Sequence, residues 1–494
     1  MFEGLLGKEK CEDTGKRAYF TDFNLDICIS RINSLTKGYD LLPYYHYVPN
    51  NPETTEYRRM ITGDMQKVSL QECFERYAKA IEQVRKQEKN STYSHHRPEE
   101  VKWHADALYR YSTAVETLRG ELKQMSGLSP AMEELVRYLE QYTGTAEYTQ
   151  WKEMAEQVHR NLDGQPVFFA AQKNKVIVQD NSEKEPFHKR IVRAFRLPEQ
   201  SEKKTDMQEE SRPLSVFEEM MAERLVKSTG QSKALLALMK IRMDEKLLQL
   251  ATDVQFYLGF FKFCRFMEER GYGFCIPQTG KRLLVKSGYD AAMAVKSERP
   301  VIPNDFEIGE KEQFFVITGA NGGGKTTFAR MIGQILYFSR MGLMVPCEKA
   351  VIPHFTDILT HFSDEESEKS GRGKLVEELT RLEPMMKAQQ ENVFVILNEL
   401  FTTAATLDAG IMGKRVIEHF VKNQCYGIYV THIQSLAEEG DGIVSMVAEL
   451  REDHHTRSFK IQRKPASEGE YEDSLITKYH MTYEQMKRVM GYGN

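Results

Sequence analysis

The sequence predicts a two-part chain: a mostly α-helical domain over residues 1–270, then an α/β domain over residues 271–494 with a mainly parallel sheet flanked by helices. Three observations predict it. Up to about Arg270, apolar residues recur at intervals of three and four, the period of an amphipathic helix. Beyond Gly271, short apolar runs alternate with helical stretches, the pattern of strands joined by crossover helices. One of those runs, Phe314 to Ile317, leads directly into a glycine-rich loop and then into an amphipathic helix.

In the first part, SLQECFERYAKAIEQV opens with Ser69 and Glu72 spaced as a capping box. Leu70, Cys73, Phe74, Tyr77, Ala78, Ile81 and Val84 then share one helical face. The polar stretch KNSTYSHHRP breaks that pattern, and a second helix is expected from Glu99 to Gln124. Ser129 and Pro130, with Glu133 and Glu134 in the first turn, start a third. Residues 165–179, QPVFFAAQKNKVIVQ, read as a hairpin turning at Lys173-Asn174-Lys175. The charged segment Glu199–Pro213 has almost no apolar residues and reads as a disordered loop or insertion. Helical periodicity resumes from Ser215 to about Arg270, where the aromatics of FYLGFFKFCRF are expected in the core.

Composition sets the class. A hydrophobic share of 41% and a charged share of 28% describe a globular chain of 494 residues. Its apolar runs fall far short of the roughly 20 residues a membrane helix needs. The N-terminus lacks the apolar core of a signal peptide, so a cytoplasmic protein with no membrane partner is expected. The 7 cysteines are widely spaced and are expected as reduced thiols. A net charge of −5 gives no global attraction to nucleic acid and leaves room for a local basic patch. The pairs His95-His96 and His454-His455 lack metal-ligand spacing and read as solvated loop residues.

The chemistry is concentrated in FFVITGANGGGKTTFARM. Gly319-Ala320-Asn321-Gly322-Gly323-Gly324-Lys325-Thr326 has the full phosphate-loop spacing between a strand and a helix, with Thr327 following. Successive backbone N–H groups and a helix N-terminus can enclose the phosphates of ATP. Lys325 is suited to neutralise the β/γ charge, and the Thr326 hydroxyl to ligate Mg²⁺. The domain therefore reads as a P-loop ATPase domain. Downstream lie Asp357 in HFTDILTHF, the turn-and-helix EKSGRGKLVEEL, a strand ending in Asn398-Glu399, Asp408 nine residues later, and a strand ending in Thr431-His432.

In that order and spacing the sequence resembles the MutS family of DNA mismatch-repair ATPases. The resemblance covers residues 271–494 and, more loosely, the helical part as that family's core and lever helices. It implies a homodimer with composite ATP sites, each subunit supplying a loop to the other's nucleotide. On that mapping Glu399 polarises the attacking water, His432 senses the γ-phosphate, and Asp408 belongs to the loop joining the two sites. Ser370 to Lys374 is the trans-acting signature. Its usual serine falls on Gly373, with Ser370 or Lys374 as replacements for the γ-phosphate contact. The usual strand-end aspartate is Asn398, a second metal-site residue beside Thr326, and Phe401-Thr402-Thr403-Ala404 replaces a glycine- and arginine-rich turn. On that mapping the chain is expected to begin almost at the core, without a mismatch-reading domain or a Phe-x-Glu wedge ahead of a lever.

The resemblance implies an ATP-driven dimeric clamp that encloses duplex or branched DNA. Two other readings are a related motor on structured RNA or ribonucleoprotein, and a non-catalytic switch in which ATP only drives dimerisation. Asn398 retains a carbonyl oxygen for a Mg²⁺-bound water, so a slow but active ATPase is expected.

Overall fold

A computed structural model describes residues 2–7, 17–36, 38–93, 97–163, 168–172, 175–179, 232–362, 373–387, 392–438, 440, 442–450 and 457–466. The chain divides into two compact units. The first takes Met1–Phe2, Ser69–Leu128 and Glu133–Thr252; the second takes Glu3–Val68, Ser129–Met132 and Asp253–Asn494. The second therefore reaches further back in the chain than a boundary at residue 270 anticipates.

Helices α1 (Tyr19–Asp22), α2 (Leu25–Leu35), α3 (Leu42–His46) and α4 (Pro52–Asp64) explain that difference. They cover the helix that follows the glycine-rich loop, which is buried along nearly its whole length and needs a cover besides the sheet. The Phe20 ring meets Tyr337 of that helix edge-on at 5.3 Å. Thr62 donates to Gly342 O at 2.6 Å and Tyr337 to Tyr45 O at 2.6 Å.

The first unit is helical, with α5 (Val68–Tyr93), α6 (Arg97–Gln124), α7 (Pro130–Thr143), α8 (Ala146–Asp163) and α9 (Ser232–Leu238). The face predicted for α5 is buried throughout, from Leu70 to Val84. Its start and end differ from expectation. The helix begins at Val68, so Ser69 lies inside the first turn, and it continues into the polar stretch as far as Tyr93. No glycine or proline interrupts Lys89–Tyr93, and polar residues can extend a helix already formed. Ser129 does cap α7, its hydroxyl accepting from Met132 N–H at 3.3 Å. Strands β1 (Phe168–Gln172) and β2 (Lys175–Gln179) pair antiparallel, with Lys175 in the strand; 173 and 174 lie outside the described residues. So do the charged segment 199–213, the stretch 215–231 and both histidine pairs. Helix α10 (Glu245–Glu268) buries Phe256, Tyr257, Phe260, Phe261 and Phe263 as core. No helix among the described residues is long and apolar enough to cross a membrane.

The second unit is built on two sheets. A four-stranded one has the order β3 (Gln278–Thr279), β7 (Lys349–Ile352), β4 (Leu284–Gly288), β5 (Asn304–Glu307), and is mostly antiparallel. The larger has the order β12 (Arg457–Arg463), β11 (Ile443–Leu450), β6 (Phe314–Gly319), β10 (Tyr426–Val430), β9 (Phe394–Asn398), β8 (Ile358–Phe362). All its neighbours are parallel except the β11–β12 pair. β9 is buried at every position, as a strand covered on both faces must be. Helices α11 (Ala291–Lys296), α12 (Lys325–Arg340), α13 (Lys374–Lys387) and α14 (Thr406–Lys422) complete the unit. Asp357, noted in the sequence, is structural: it accepts from Arg17 at 2.9 Å and from Arg340, at the end of α12, at 3.1 Å.

Candidate active site

Strand order brings the sequence-selected residues together. β10 lies between β6 and β9, with Val430 in register with Ile317 on one side and Asn398 on the other. The C-terminal ends of three parallel strands are therefore level, and their continuations emerge on one edge: the glycine-rich loop, Glu399, and His432. Ligands of open parallel sheets bind at this edge. Two backbone bonds extend the registration past the strands, Thr431 N–H to Ile317 O at 3.0 Å and Glu399 N–H to Val430 O at 2.9 Å.

The loop runs from Gly319 to the start of α12. Gly319 has φ +112°, and a Cβ there would lie 3.1 Å from Ala448 on β11, so only glycine fits this close crossing. Gly324, the N-cap of α12, has φ +96° and turns the backbone into the helix. Lys325 is buried and donates through Nζ to Gly319 O at 2.6 Å and Ala320 O at 3.1 Å. Burial pushes its ammonium below the usual lysine range; Glu399 opposes that shift and Arg457 adds to it. The Thr326 hydroxyl donates to Asn398 Oδ1 at 2.9 Å, placing a hydroxyl and an amide carbonyl side by side.

Glu399 and His432 meet. Nε2 of the imidazole stands 3.0 Å from Glu399 Oε1. That bond holds the Glu399 carboxyl below the usual glutamate range, so it is ionised at neutral pH. Thr431 caps the turn before the imidazole, its hydroxyl accepting from Ile433 N–H at 3.1 Å. Loop and carboxylate border a cavity of ≈ 500 Å³. Asn321, Gly322, Gly324, Lys325, Thr326 and Thr327 line it with Glu399, and Met293, Val301, Ile302 and Phe459 add apolar side chains to the lining.

The remaining expected residues lie elsewhere. Asp408 is exposed in the first turn of α14, not in a loop, where a carboxylate complements the helix dipole. Gly373 is exposed just before α13, and Lys374 is that helix's first residue. Ser370 lies outside the described residues.

The structure adds residues that sequence reasoning missed. The Arg457 guanidinium on β12 stands over Gly322, 3.1 Å from where a side chain there would begin. Asp290 caps α11 at the cavity wall, accepting from Met293 N–H at 2.9 Å and from Gln334 of α12 at 2.7 Å. Glu378, buried in α13, accepts the N–H of Phe401 at 2.9 Å. Both Glu399 (φ +53°) and Phe401 (φ +63°) are left-handed without being glycine, a conformation costing roughly 1–2 kcal/mol each. Glu378 thus holds the strained turn behind Glu399. Its only sequence signal was a second carboxylate in VEEL, at a position on the inner face of α13. Glu378→Leu would leave the Phe401 N–H buried without its acceptor and is expected to cost about 1–3 kcal/mol in chemical denaturation. Glu378→Gln keeps a carbonyl acceptor and should recover most of that loss; equal losses in the two variants would refute the pinning role.

Residues 315–475 match the family model of MutS domain V. Similar proteins include the DNA mismatch repair protein MutS of Thermus aquaticus, 28% identical over 169 residues, which is 34% of this chain and 20% of the relative. The DNA mismatch repair protein MutS of Pseudothermotoga lettingae is 29% identical over 193 residues, 37% of this chain and 23% of the relative. The DNA mismatch repair protein msh-2 of Neurospora crassa is 29% identical over 165 residues, 33% of this chain and 18% of the relative. The match thus spans about a fifth of the length of these relatives, 18% to 23%.

Proposed function

We propose that this member of the MutS family, placed there by its domain V, binds and slowly hydrolyses ATP at the Gly319–Thr327 loop and uses it to drive a dimeric clamp on DNA. One observation carries the reading: Lys325, the Thr326–Asn398 pair and the Glu399–His432 pair converge at the ends of adjacent parallel strands, beside one cavity.

The residues fit the reactants. Lys325 supplies a buried cation at the mouth of a loop whose glycines leave room for phosphate oxygens. The apolar side chains of the lining, Val301, Ile302 and Phe459 among them, suit a base. Thr326 Oγ1 and Asn398 Oδ1, 2.9 Å apart, are hard oxygen donors of the kind Mg²⁺ takes. When bound, Mg²⁺ would offset charge on the terminal phosphates. Glu399, ionised and oriented by His432, is the group able to align and polarise the attacking water. Asn398 contributes a carbonyl without a negative charge, which favours weaker metal retention over loss of chemistry.

Dimerisation is supported by the surface beside the turn. On α13, Val376 and Leu379 are exposed, and on α14 so are Leu407 (76%) and Ile411 (49%). A groove of ≈ 480 Å³ lies between these helices, lined by Leu379, Met386, Met412 and Val416. Large apolar side chains left on a surface are the mark of an interaction site. Leu407→Glu is expected to shift the ATP-bound protein toward monomer in analytical ultracentrifugation with its melting temperature unchanged. A dimer of unaltered affinity would remove this face from the interface.

The test of function is ATP turnover and binding measured with duplex DNA, a four-way junction and structured RNA over a range of salt. DNA binding with a steep salt slope, altered by ATP, is expected, because phosphate contacts release counterions. Binding to RNA alone would replace the DNA reading. No turnover above that of a Glu399→Gln protein would leave an ATP-dependent switch.

A further inference from the structure

We propose that Cys275 and Cys347 form a dithiol modification site that closes to an intramolecular disulfide on exposure to a peroxide. Their sulfurs lie 3.5 Å apart in the second unit, with Cys275 between α10 and β3, and Cys347 between α12 and β7. The backbones are already paired. Cys275 and Val345 exchange two hydrogen bonds, N–H to O at 3.1 Å and O to N–H at 2.8 Å. Closure to a bond of ~2.0 Å therefore requires the sulfurs to approach by about 1.5 Å, within the reach of side-chain rotation and small backbone shifts. Sequence reading had no access to this pair, since the two positions are 72 apart in the chain.

The two thiols are not equivalent. Cys275 is partly exposed, while Cys28, Cys73, Cys264, Cys347 and Cys425 are buried. The hydrogen bond from Cys347 holds the Cys275 thiol below the ordinary cysteine range, while Cys347 is pushed up and keeps its proton. An accessible thiolate next to a resolving cysteine is the arrangement of redox-sensing pairs. The Cys275 thiolate attacks one peroxide oxygen, the O–O bond breaks, and hydroxide leaves, giving a sulfenic acid. The Cys347 sulfur then attacks the Cys275 sulfur. The S–O bond breaks and the Cys347 proton leaves with the oxygen as water. Two thiols lose two electrons, and hydrogen peroxide takes them to form two waters.

The bridge would lie next to the wall of the nucleotide cavity. Tyr289 links the two segments, its N–H donating to Pro346 O at 3.2 Å and its hydroxyl to Gly273 O at 3.0 Å. The next residue is Asp290, the cap of α11.

The test treats the purified full-length chain with hydrogen peroxide at near-stoichiometric amounts, alkylates the remaining thiols, and maps peptides by mass spectrometry. The expected result is a cross-linked peptide joining Cys275 and Cys347, lost on treatment with dithiothreitol, with alkylation lost at both positions. In Cys347→Ala the reaction should stop at a Cys275 sulfenic acid that dimedone traps. In Cys275→Ser, Cys347 should remain alkylatable and reduced. Wild-type protein in which Cys275 proceeds to sulfinic acid while Cys347 stays free would overturn the proposal, as would resistance of both thiols. The wild-type measurement decides even if the Cys347→Ala chain fails to fold.

Discussion

Glu399→Gln is expected to lower ATP turnover by about 10²-fold or more, the usual scale for a lost general base, with ATP still bound. The amide is nearly isosteric and keeps an oxygen within reach of His432, which stands 3.0 Å from the carboxylate in the native protein. It cannot accept a proton from water. The strained backbone at Glu399 (φ +53°) is held by the Val430 and Glu378 contacts, neither of which uses the Glu399 side chain, so the fold should persist. Single-turnover hydrolysis and nucleotide retention on a filter separate the outcomes. Loss of binding together with turnover would mean that Glu399 supports the cavity and not the chemistry.

Lys325→Ala is expected to weaken ATP binding by roughly 10- to 150-fold, the equivalent of a charge-assisted contact of about 1.5–3 kcal/mol. The side chain is 4% exposed, and its desolvated ammonium is the group best placed to meet phosphate charge in the loop. Removing it leaves the backbone cradle, because Gly319 and Gly324 set the loop's path without a side chain. Arg457, beside Gly322, stays in place and is expected to leave a residual affinity. Titration with a fluorescent ATP analogue reads the change. Unaltered affinity would show that the loop does not hold the triphosphate.

The glycine-rich loop was legible in the sequence because its chemistry is local: glycine spacing sets backbone angles, and Lys325 and Thr326 sit at fixed distances along one turn. The strands ending at Gly319, Asn398 and Val430 were legible as apolar runs, since a strand buried on both faces has no polar alternation. The face of α5 was legible from its period, whereas its ends were not, because helix termini are settled by competition between weak caps and packing.

The tertiary structure decided the features that depend on contacts between distant residues. The insertion of β10 between β6 and β9 makes His432 a neighbour of Glu399, 33 positions away. Residues 3–68 join the α/β unit because α12 has an apolar outer face that α1–α4 cover, a demand invisible in the pattern of residues 3–68 themselves. Arg457, Asp290 and the Cys275–Cys347 pair carry no local signature and Glu378 only a faint one: each acquires its role from a partner brought close by the sheet and its crossovers. Sequence alone singled out the candidate residues of the loop and strand ends, because covalent spacing within one strand–loop–helix segment is enough to select them. Strand order and packing decided which of those residues face one another, because hydrogen-bond registration and apolar burial act between segments far apart in the chain.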